Sequence, residues 1–288
     1  MASTSSSFEL FFHLLPLLPL LLLSTMKTTT MAAFEDFTSF VYVGCSQNRY
    51  TLGSPYQLNV DSLLTTLVNA ATFSSYHDST SAAASATAPA YGLFQCRADL
   101  PVPDCAACVR SALDRLSSLC PSSAGAGVQL KGCFLRYAND SFLGKPDTGL
   151  VYKKCGAATA SAEVAGMRDA ALSALAGGGG MGEYRVGAAG RVQALAQCVG
   201  DQDGKQCGDC VASAVEQVKD GCGAADAGDV YLGKCYVSYW STGAYALASP
   251  GHYHGDHVSG RTIAIVLAIT IAVVVGIIFL SVMRRSGK

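Results

Sequence analysis

Cysteine is the most reactive side chain in this sequence, and its spacing repeats along the chain. There are 12 cysteines among 288 residues, and they fall into two sets of six. Steps of 9, 3, 12 and 13 residues separate the last five of each set, which are Cys96, Cys105, Cys108, Cys120 and Cys133, then Cys198, Cys207, Cys210, Cys222 and Cys235. Thiols at such spacings can form disulfides, bind metal ions or exchange electrons. The repeat predicts two copies of one module with the same covalent framework.

The amino-terminal end of the chain indicates export. Residues 10–23 form a short leucine-rich stretch that two prolines interrupt. A stretch of this length fits the apolar region of a secretory signal peptide better than a membrane span. We assign residues 1–33 to the signal peptide, with small residues near Ser24 and near Ala32 as two candidate cleavage points.

The carboxyl-terminal end predicts a transmembrane helix at residues 262–283. Every residue there is apolar, Gly, Ser or Thr. At about 1.5 Å per residue the segment covers the roughly 30 Å hydrocarbon core of a bilayer. The tail, residues 284–288, begins with Arg284 and Arg285, so the positive-inside rule predicts a cytosolic carboxyl terminus. We therefore expect a single-pass type I membrane protein whose modules lie outside the cell.

Export and composition together narrow the function classes. In an oxidising extracellular compartment the cysteines are expected to form disulfides and not metal sites. The net charge of -1, with 14% charged residues, leaves no basic face for nucleic acid. His77 is the only histidine in either module, so a nucleophile would have few bases to activate it. We expect no nucleic-acid partner, no cofactor and no enzymatic activity.

Apolar residues at helical spacing predict two helices in each module. In module one, residues 34–145, the first helix covers residues 60–71, and Asn59 or Asp61 is placed to cap it. Module two, residues 146–246, repeats the order of elements. Other predicted elements are helices at 164–175 and 208–218, a glycine loop at 177–180, and strands at 91–96, 128–137, 192–199 and 230–240. Helices on one side of an antiparallel sheet, an α+β fold, is the economical arrangement.

The second helix of module one begins after Pro103 and carries two cysteines. Asp104 is placed to cap its free amides, and Cys105 and Cys108 lie one turn apart. Side chains at positions i and i+3 are about 5–6 Å apart at Cβ, beyond the roughly 3.5–4.5 Å that a disulfide accepts. These two cysteines should not bond each other, which leaves twelve of the fifteen pairings of six cysteines open.

Four sequence strings carry a resemblance to a known plant domain. CRADLPVPDCAAC and CVGDQDGKQCGDC share the pattern of Cys, eight residues, Cys, two residues, Cys, and FVYVGCSQNRYTLGSPY and VQLKGCFLRYANDSF lie near the two ends of module one. These strings resemble the cysteine-rich domain homologous to ginkbilobin, also called the salt-stress or antifungal domain. Two such domains, one transmembrane helix and a very short tail resemble the plasmodesmata-located protein family.

The resemblance implies a fold and a disulfide pattern. Each module would have two helices packed on a five-stranded antiparallel sheet. The first cysteine would bond the fifth, the second the third, and the fourth the sixth. The implied pairs are Cys45 with Cys120, Cys96 with Cys105, Cys108 with Cys133, Cys155 with Cys222, Cys198 with Cys207, and Cys210 with Cys235.

The resemblance also locates a sugar site. The founding antifungal protein binds mannose through an Asn just after the first cysteine, an Arg six residues before the last, and a Glu five residues after it. The corresponding positions hold Ser46, Gly127 and Ala138 in module one, and Gly156, Asp229 and Trp240 in module two. None of the three required residue types is present, so mannose binding at this site is not expected. Another glycan-binding surface stays open as an alternative.

Two further groups of residues could carry chemistry. Asn139 begins the tripeptide Asn-Asp-Ser, which is a predicted N-glycosylation site on the extracellular side. The stalk, residues 247–261, contains side chains that suit zinc or copper, namely His252, His254, Asp256 and His257. Because no packed scaffold would fix their geometry, we interpret the stalk as a polar spacer and assign no metal site.

The predicted transmembrane helix has a stripe of small residues at every fourth position: Ala264, Ala268, Ala272 and Gly276. Such stripes let helices approach each other closely, although Ala and Gly are also common in membrane helices generally. We expect the stripe to support a homo-oligomer or a hetero-oligomer with related membrane proteins.

The resemblance implies a non-enzymatic receptor or scaffold in the plasma membrane at plasmodesmata, with its modules in the apoplast. It would regulate cell-to-cell trafficking by promoting callose deposition, with callose-synthesising machinery and viral movement proteins as partners. The alternative is a membrane-tethered, lectin-like or antifungal glycan-binding protein of the cell surface. A third hypothesis is a redox sensor, which would need an exposed or strained disulfide.

Overall fold

The computed structural model describes residues 37–158, 160–176 and 184–241, all within one compact unit, Met1–Pro250. The predicted signal peptide, stalk, transmembrane helix and tail lie outside the described residues, as does the glycine loop at 177–180. No helix in the described ranges is long and apolar enough to span a bilayer.

Within the described residues, each module has five strands and two α-helices. Module one contains β1 (Phe40–Cys45), α1 (Pro55–Ala70), β2 (Tyr76–Ser81), β3 (Ala90–Cys96), α2 (Val102–Leu119), β4 (Ala126–Leu130) and β5 (Cys133–Ala138). Module two contains β6 (Leu150–Cys155), α3 (Ala162–Ser173), β7 (Tyr184–Ala189), β8 (Val192–Cys198), α4 (Gly204–Gly221), β9 (Ala227–Leu232) and β10 (Cys235–Ser241). One turn of 3₁₀ helix, Ala174–Ala176, follows α3.

The strands of each module form one antiparallel sheet with the same strand order. The order is β1-β4-β5-β3-β2 in module one and β6-β9-β10-β8-β7 in module two, and neighbouring strands are antiparallel. Apolar side chains of the two helices share one core with the strands in each module. The prediction of two helices on a five-stranded antiparallel sheet is therefore confirmed for both modules.

Alternation along the central strands leaves a second face of each sheet for other contacts. In β5, Cys133, Leu135 and Tyr137 are buried in the core that the helices cover, whereas Phe134 and Arg136 between them are only partly buried. Successive side chains of a strand point to opposite faces of its sheet. Residues of this second face take part in the junction between the two modules.

Helix α1 begins earlier than its predicted cap. Ser54 is the N-cap residue and Pro55 is the first helical residue, a combination that favours a helix start. The prediction of Asn59 or Asp61 as the cap is wrong. Asn59 is instead fully buried within the helix, and its side-chain amide donates to two backbone carbonyls of the loop between β2 and β3.

Asp104 is not the cap of helix α2, so that prediction is also wrong. Pro101 is the N-cap residue, and a proline side chain offers no hydrogen-bond acceptor. Asp104 lies in the first turn, where its negative charge is near the positive end of the helix dipole. Helix α4 of module two, in contrast, begins with a complete capping box between Asp203 and Gln206.

Two segments predicted as single strands are hairpins. Residues 128–137 cover parts of β4 and β5, which Lys131 and Gly132 join, and residues 230–240 cover parts of β9 and β10, which Gly233 and Lys234 join. The prediction of one strand in each place is wrong because the aromatic and β-branched pattern continues across a two-residue turn. The glycine in each turn is the signal that marks the break.

All 12 cysteines are in disulfides, and the pairs are those that the resemblance implies. They are Cys45–Cys120, Cys96–Cys105, Cys108–Cys133, Cys155–Cys222, Cys198–Cys207 and Cys210–Cys235. Cys105 and Cys108 of α2 bond to different strands, β3 and β5. The helix is therefore fastened to its sheet at two points one turn apart.

Candidate functional site

Tyr42 and Tyr152 contact each other at the junction of the two modules. Each lies three residues before the first cysteine of its module, Tyr42 in β1 and Tyr152 in β6. Their rings stack with centroids 5.7 Å apart. A contact between equivalent residues is the mark of a two-fold arrangement. The two modules of this chain thus meet in the manner of a symmetric dimer.

A reciprocal pair of hydrogen bonds extends the two-fold pattern. Gln95 and Gln197 each precede the second cysteine of their module. Gln95 Oε1 accepts a hydrogen bond from the amide of Gly200 at 2.9 Å, and Gln197 Oε1 accepts one from the amide of Ala98 at 3.2 Å. Gly200 and Ala98 are themselves equivalent positions. A Cβ on Gly200 would lie 2.7 Å from the ring of Tyr76, so this close approach requires glycine.

Aromatic rings continue from the tyrosine stack into module two. Tyr231 lies edge-on to Tyr42, with centroids 5.6 Å apart, and stacks on Tyr236 at 5.3 Å. Burial raises the pKa of Tyr42 and of Tyr236, so both phenols stay neutral at the junction. A cavity of about 30 Å³ lies beside the rings and is lined by residues of both modules. It has room for a water molecule.

Lys234 contacts the segment that joins β5 to β6, residues 139–149, which is here called the linker. Lys234 is 2% exposed, its ammonium group donates to the carbonyl oxygen of Phe142 at 3.1 Å, and it forms an ion pair with Asp201. Asp201 also accepts a hydrogen bond from the amide of Gly144 at 2.9 Å. Burial lowers the pKa of Lys234, and the Asp201 carboxylate opposes that shift. A buried charge pair of module two therefore holds the linker.

Phe142 of the linker lies close to two cations. The guanidinium carbon of Arg136 is 4.2 Å from the centroid of its ring, and Lys234 Nζ is 5.1 Å from it. Arg136 also lies 3.7 Å from Asp147. The sequence carries no signal for these residues, because single charged side chains usually lie on the surface and no spacing sets these apart.

The three sugar-contact positions of module one lie in one cleft. The ends of β1, β4 and β5 border an open space of about 280 Å³ whose lining includes Ser46, Gly127 and Ala138. The structure therefore brings these three positions together. Their side chains are short and uncharged, so they leave the space open without supplying an ionic group to bind sugar. Asn139 is exposed and belongs to the same lining.

Module two presents a different surface at the equivalent place. A Cβ on Gly156 would lie 2.5 Å from Asp226 Oδ1, so the Asp226 carboxylate takes up the space beside this glycine. Asp229 is partly buried; burial raises its pKa, and a hydrogen bond with Ser238 opposes the shift. Trp240 is buried near the end of β10. Carboxyl groups and a large aromatic side chain thus lie at the positions where module one has open space.

The other candidate residues are not assembled into a reactive site in the part of the chain that the structure describes. His77 lies on the edge strand β2, opposite Phe94. No group of three or more His, Cys, Asp or Glu residues in ranges 37–158, 160–176 and 184–241 could hold a metal ion. The stalk and membrane-helix candidates lie outside the described residues: His252, His254, Asp256, His257, Ala264, Ala268, Ala272 and Gly276.

Known proteins resemble the chain over most of its length. Residues 44–140 and 155–242 match the salt stress response/antifungal family. The chain is 42% identical over 264 residues to Plasmodesmata-located protein 7 of Arabidopsis thaliana, covering 91% of this chain and 88% of the relative. It is 39% identical over 271 residues to Plasmodesmata-located protein 6 of the same species, covering 91% and 93%. Among solved structures, the tandem DUF26 ectodomain of the Arabidopsis thaliana cysteine-rich receptor-like protein PDLP8 has a TM-score of 0.68 at 39% identity, covering 72% of this chain and all of that chain.

Proposed function

The chain belongs to the plasmodesmata-located protein family, and from that premise we propose that it is a receptor-like membrane protein of plasmodesmata. The observation that carries the proposal is the joined pair of disulfide-bonded modules, which is similar to a tandem receptor-like ectodomain over 72% of this chain. In this proposal the two modules form one extracellular recognition unit. The predicted helix at residues 262–283 anchors that unit in the plasma membrane, with the tail in the cytosol.

The described features suit binding better than catalysis. All 12 cysteines are oxidised, so none of them offers a thiolate nucleophile. The buried charge pair of Lys234 and Asp201 contacts the linker and contributes to the junction. These observations support a non-enzymatic receptor or scaffold.

The proposed output is control of cell-to-cell trafficking. The protein promotes callose deposition at plasmodesmata and thereby limits movement between cells. Its proposed partners are callose-synthesising machinery, viral movement proteins and related membrane proteins. The stripe of small residues at Ala264, Ala268, Ala272 and Gly276 supports contact between membrane helices.

Imaging in leaf epidermis tests the proposed location. A fluorophore is placed after Lys288, and the cells are stained for callose. The expected result is punctate signal at wall pits that overlaps callose. A matched version that ends after residue 261 should lose the puncta, because it lacks the proposed anchor. Uniform plasma-membrane signal from the full chain would contradict the location while leaving the fold untouched.

A dye-movement assay tests the proposed output. Raised expression of the full chain should increase callose staining and reduce the number of cells that a microinjected dye reaches. The matched version that ends after residue 261 serves as the control for expression. Unchanged callose and dye movement, in cells where the puncta are present, would contradict the trafficking role but not the location.

A membrane-tethered glycan-binding protein is the second candidate function. The cleft at Ser46, Gly127 and Ala138 favours it because an open concave surface lies at the sugar position of a relative. The missing Asn, Arg and Glu side chains argue against mannose itself. A glycan array probed with residues 34–246 distinguishes the two functions, since specific binding would favour the glycan-binding protein.

A further inference from the structure

Asn139 is the first residue after strand β5 and the only asparagine of the sequence in a glycosylation sequon. Its side chain is exposed, as are those of Asp140 and Ser141. An exposed sequon just beyond a strand end is accessible to the enzymes that glycosylate secreted proteins. The six disulfides indicate passage through the same oxidising compartment.

Backbone forms part of the walls of the cleft beside Asn139. Gly44, Gly125 and Gly127 all contribute to its lining. A Cβ placed on Gly44 would have no atom within 4 Å, and one placed on Gly127 would lie 3.5 Å from its nearest neighbour. The space of about 280 Å³ is close to the low end, about 300 Å³, of the pockets that hold small ligands. It can take the first sugars of an attached glycan.

The walls of this cleft combine apolar and polar groups. Arg136 contributes its aliphatic stem, whose Cβ and Cγ would be 3.6 Å from a Cβ on Gly127, while its guanidinium group faces the ring of Phe142. Ser46 and Asp140 are exposed members of the lining and offer a hydroxyl group and a carboxylate. Sugar rings have apolar faces and polar edges. The aliphatic stem can therefore contact a ring face, and the hydroxyl group and carboxylate can form hydrogen bonds with a ring edge.

We propose that Asn139 carries an N-linked glycan whose first N-acetylglucosamine residues lie in this cleft. The glycan covers the ends of β1, β4 and β5 and occupies the space between Ser46, Gly127 and Ala138. A free sugar then has no access to that surface, so the proposal argues against the glycan-binding protein as the second candidate function. Module two contains no sequon and has the Asp226 carboxylate beside Gly156, so the covering is confined to module one.

The inference rests on only one part of the proposed function, which is export to the extracellular side. It does not depend on the location at plasmodesmata or on callose. A failure of the imaging test would therefore not contradict the glycan proposal, and the absence of a glycan would not contradict the proposed location.

Endoglycosidase digestion of the full chain tests the proposal. The chain is expressed in plant cells with a mannosidase inhibitor, so that its glycans stay cleavable between the two innermost sugars. Mass spectrometry of the peptide that contains Asn139 should show the glycan, and Asn139→Gln should abolish it while Asn69→Gln does not. If the seated state is about 90% populated, the native protein is cleaved about tenfold more slowly than the denatured protein.

A pair of substitutions tests where the glycan lies. Gly44→Tyr fills the cleft without backbone strain, because open space surrounds this position, and should raise the native cleavage rate towards that of the denatured chain. Gly166→Tyr adds the same side chain at an exposed, equally open position of α3 and should leave the native rate low. The absence of free thiols in both variants, measured by labelling, verifies that the disulfides have formed.

Three results would overturn the proposal. An unmodified Asn139 would remove the site. Equal cleavage rates in the native and denatured wild-type protein would show a glycan that extends into solvent. Unchanged native resistance in Gly44→Tyr would show that the protection comes from somewhere other than the cleft.

Discussion

Module one and module two hold different cores within the same covalent framework. Two residues before the second cysteine, module one has Phe94 and module two has Ala196, and both are fully buried. Two residues after the sixth, Leu135 corresponds to Val237. The first helix is 16 residues long in module one and 12 in module two. At these positions module two has the smaller apolar side chains and the shorter helix, and we infer that its core depends more on its disulfides.

The modules also differ in how they use equivalent polar positions at the junction. In module two, Asp201 and Lys234 form a buried ion pair that holds the linker. The equivalent residues of module one are Asp99, which pairs with Arg97 nearer the surface, and Gly132. The two-fold contacts of Tyr42 and Gln95 thus coexist with a one-sided contact. Equivalent sequence positions need not contribute equally to the free energy of unfolding, because the contribution of a charge pair depends on its burial.

Removal of one charge is the most severe test of this difference. Asp201→Asn leaves Lys234 buried without its counter-charge, and we expect it to lower the free energy of unfolding by about 3–5 kcal/mol. Asp99 has a side chain that is 42% exposed, so Asp99→Asn should cost under about 1 kcal/mol. Chemical denaturation of residues 34–246 measures both. Equal costs would contradict the one-sided hold on the linker.

Removal of matched disulfides compares the two cores directly. Cys108–Cys133 and Cys210–Cys235 both span 25 residues, so the unfolded chain gains similar freedom when either is removed. Replacing either pair with alanine should cost about 2–5 kcal/mol. We expect the larger loss, and the earlier proteolysis, in module two. Cleavage sites mapped by mass spectrometry show which module opens first in each variant. Faster proteolysis of module one without Cys108–Cys133 than of module two without Cys210–Cys235 would contradict the expectation.

The reciprocal glutamines sharpen the comparison on a smaller scale. Gln197 is 2% exposed whereas Gln95 is only partly buried. Gln197→Ala should cost about 1–3 kcal/mol because it leaves buried polar groups without a partner, and Gln95→Ala should cost about 0.5–1.5 kcal/mol. The free energy of unfolding of each variant measures the difference. A larger effect at Gln95 would mean that burial does not set the strength of these bonds.

The tyrosine stack should show the smallest effect. Tyr42 and Tyr152 occupy equivalent positions, so a double-mutant cycle with leucine at each isolates their contact. We expect a coupling energy of about 0.5–1.5 kcal/mol, as for other aromatic pairs. Tyr50 and Tyr56, whose rings lie 5.8 Å apart within module one, provide a matched pair away from the junction. A coupling near zero for Tyr42 and Tyr152 alone would indicate that the junction is weaker than its geometry implies.

The cysteine spacing predicts the module repeat because covalent frameworks impose fixed intervals. Apolar periodicity predicts the helices but not the residues at which they begin. Ser54 and Pro55 mark the start of α1, whereas Asn59 is buried within the helix. Strand β2, with the sequence YHDSTS, has no apolar alternation and is specified by its pairing with β3.

The junction between the modules left a weak trace in the sequence. The pair Val-Tyr recurs before the first cysteine of each module, and Gln recurs just before the second. Both repeats could have indicated a two-fold contact. The contact of Lys234 and Asp201 with the linker leaves no such repeat in the sequence. It depends on which charged side chains the packed modules bury.

The two-fold junction gives this chain the arrangement of a dimer whose two similar halves are joined by residues 139–149 into one polypeptide. A short tether of this kind gives the second half an effective concentration on the order of millimolar. Assembly of the two halves therefore does not depend on how many copies populate the cell surface, and dilution does not separate them. Each half is also free to change its sequence independently, since neither must remain complementary to a copy of itself.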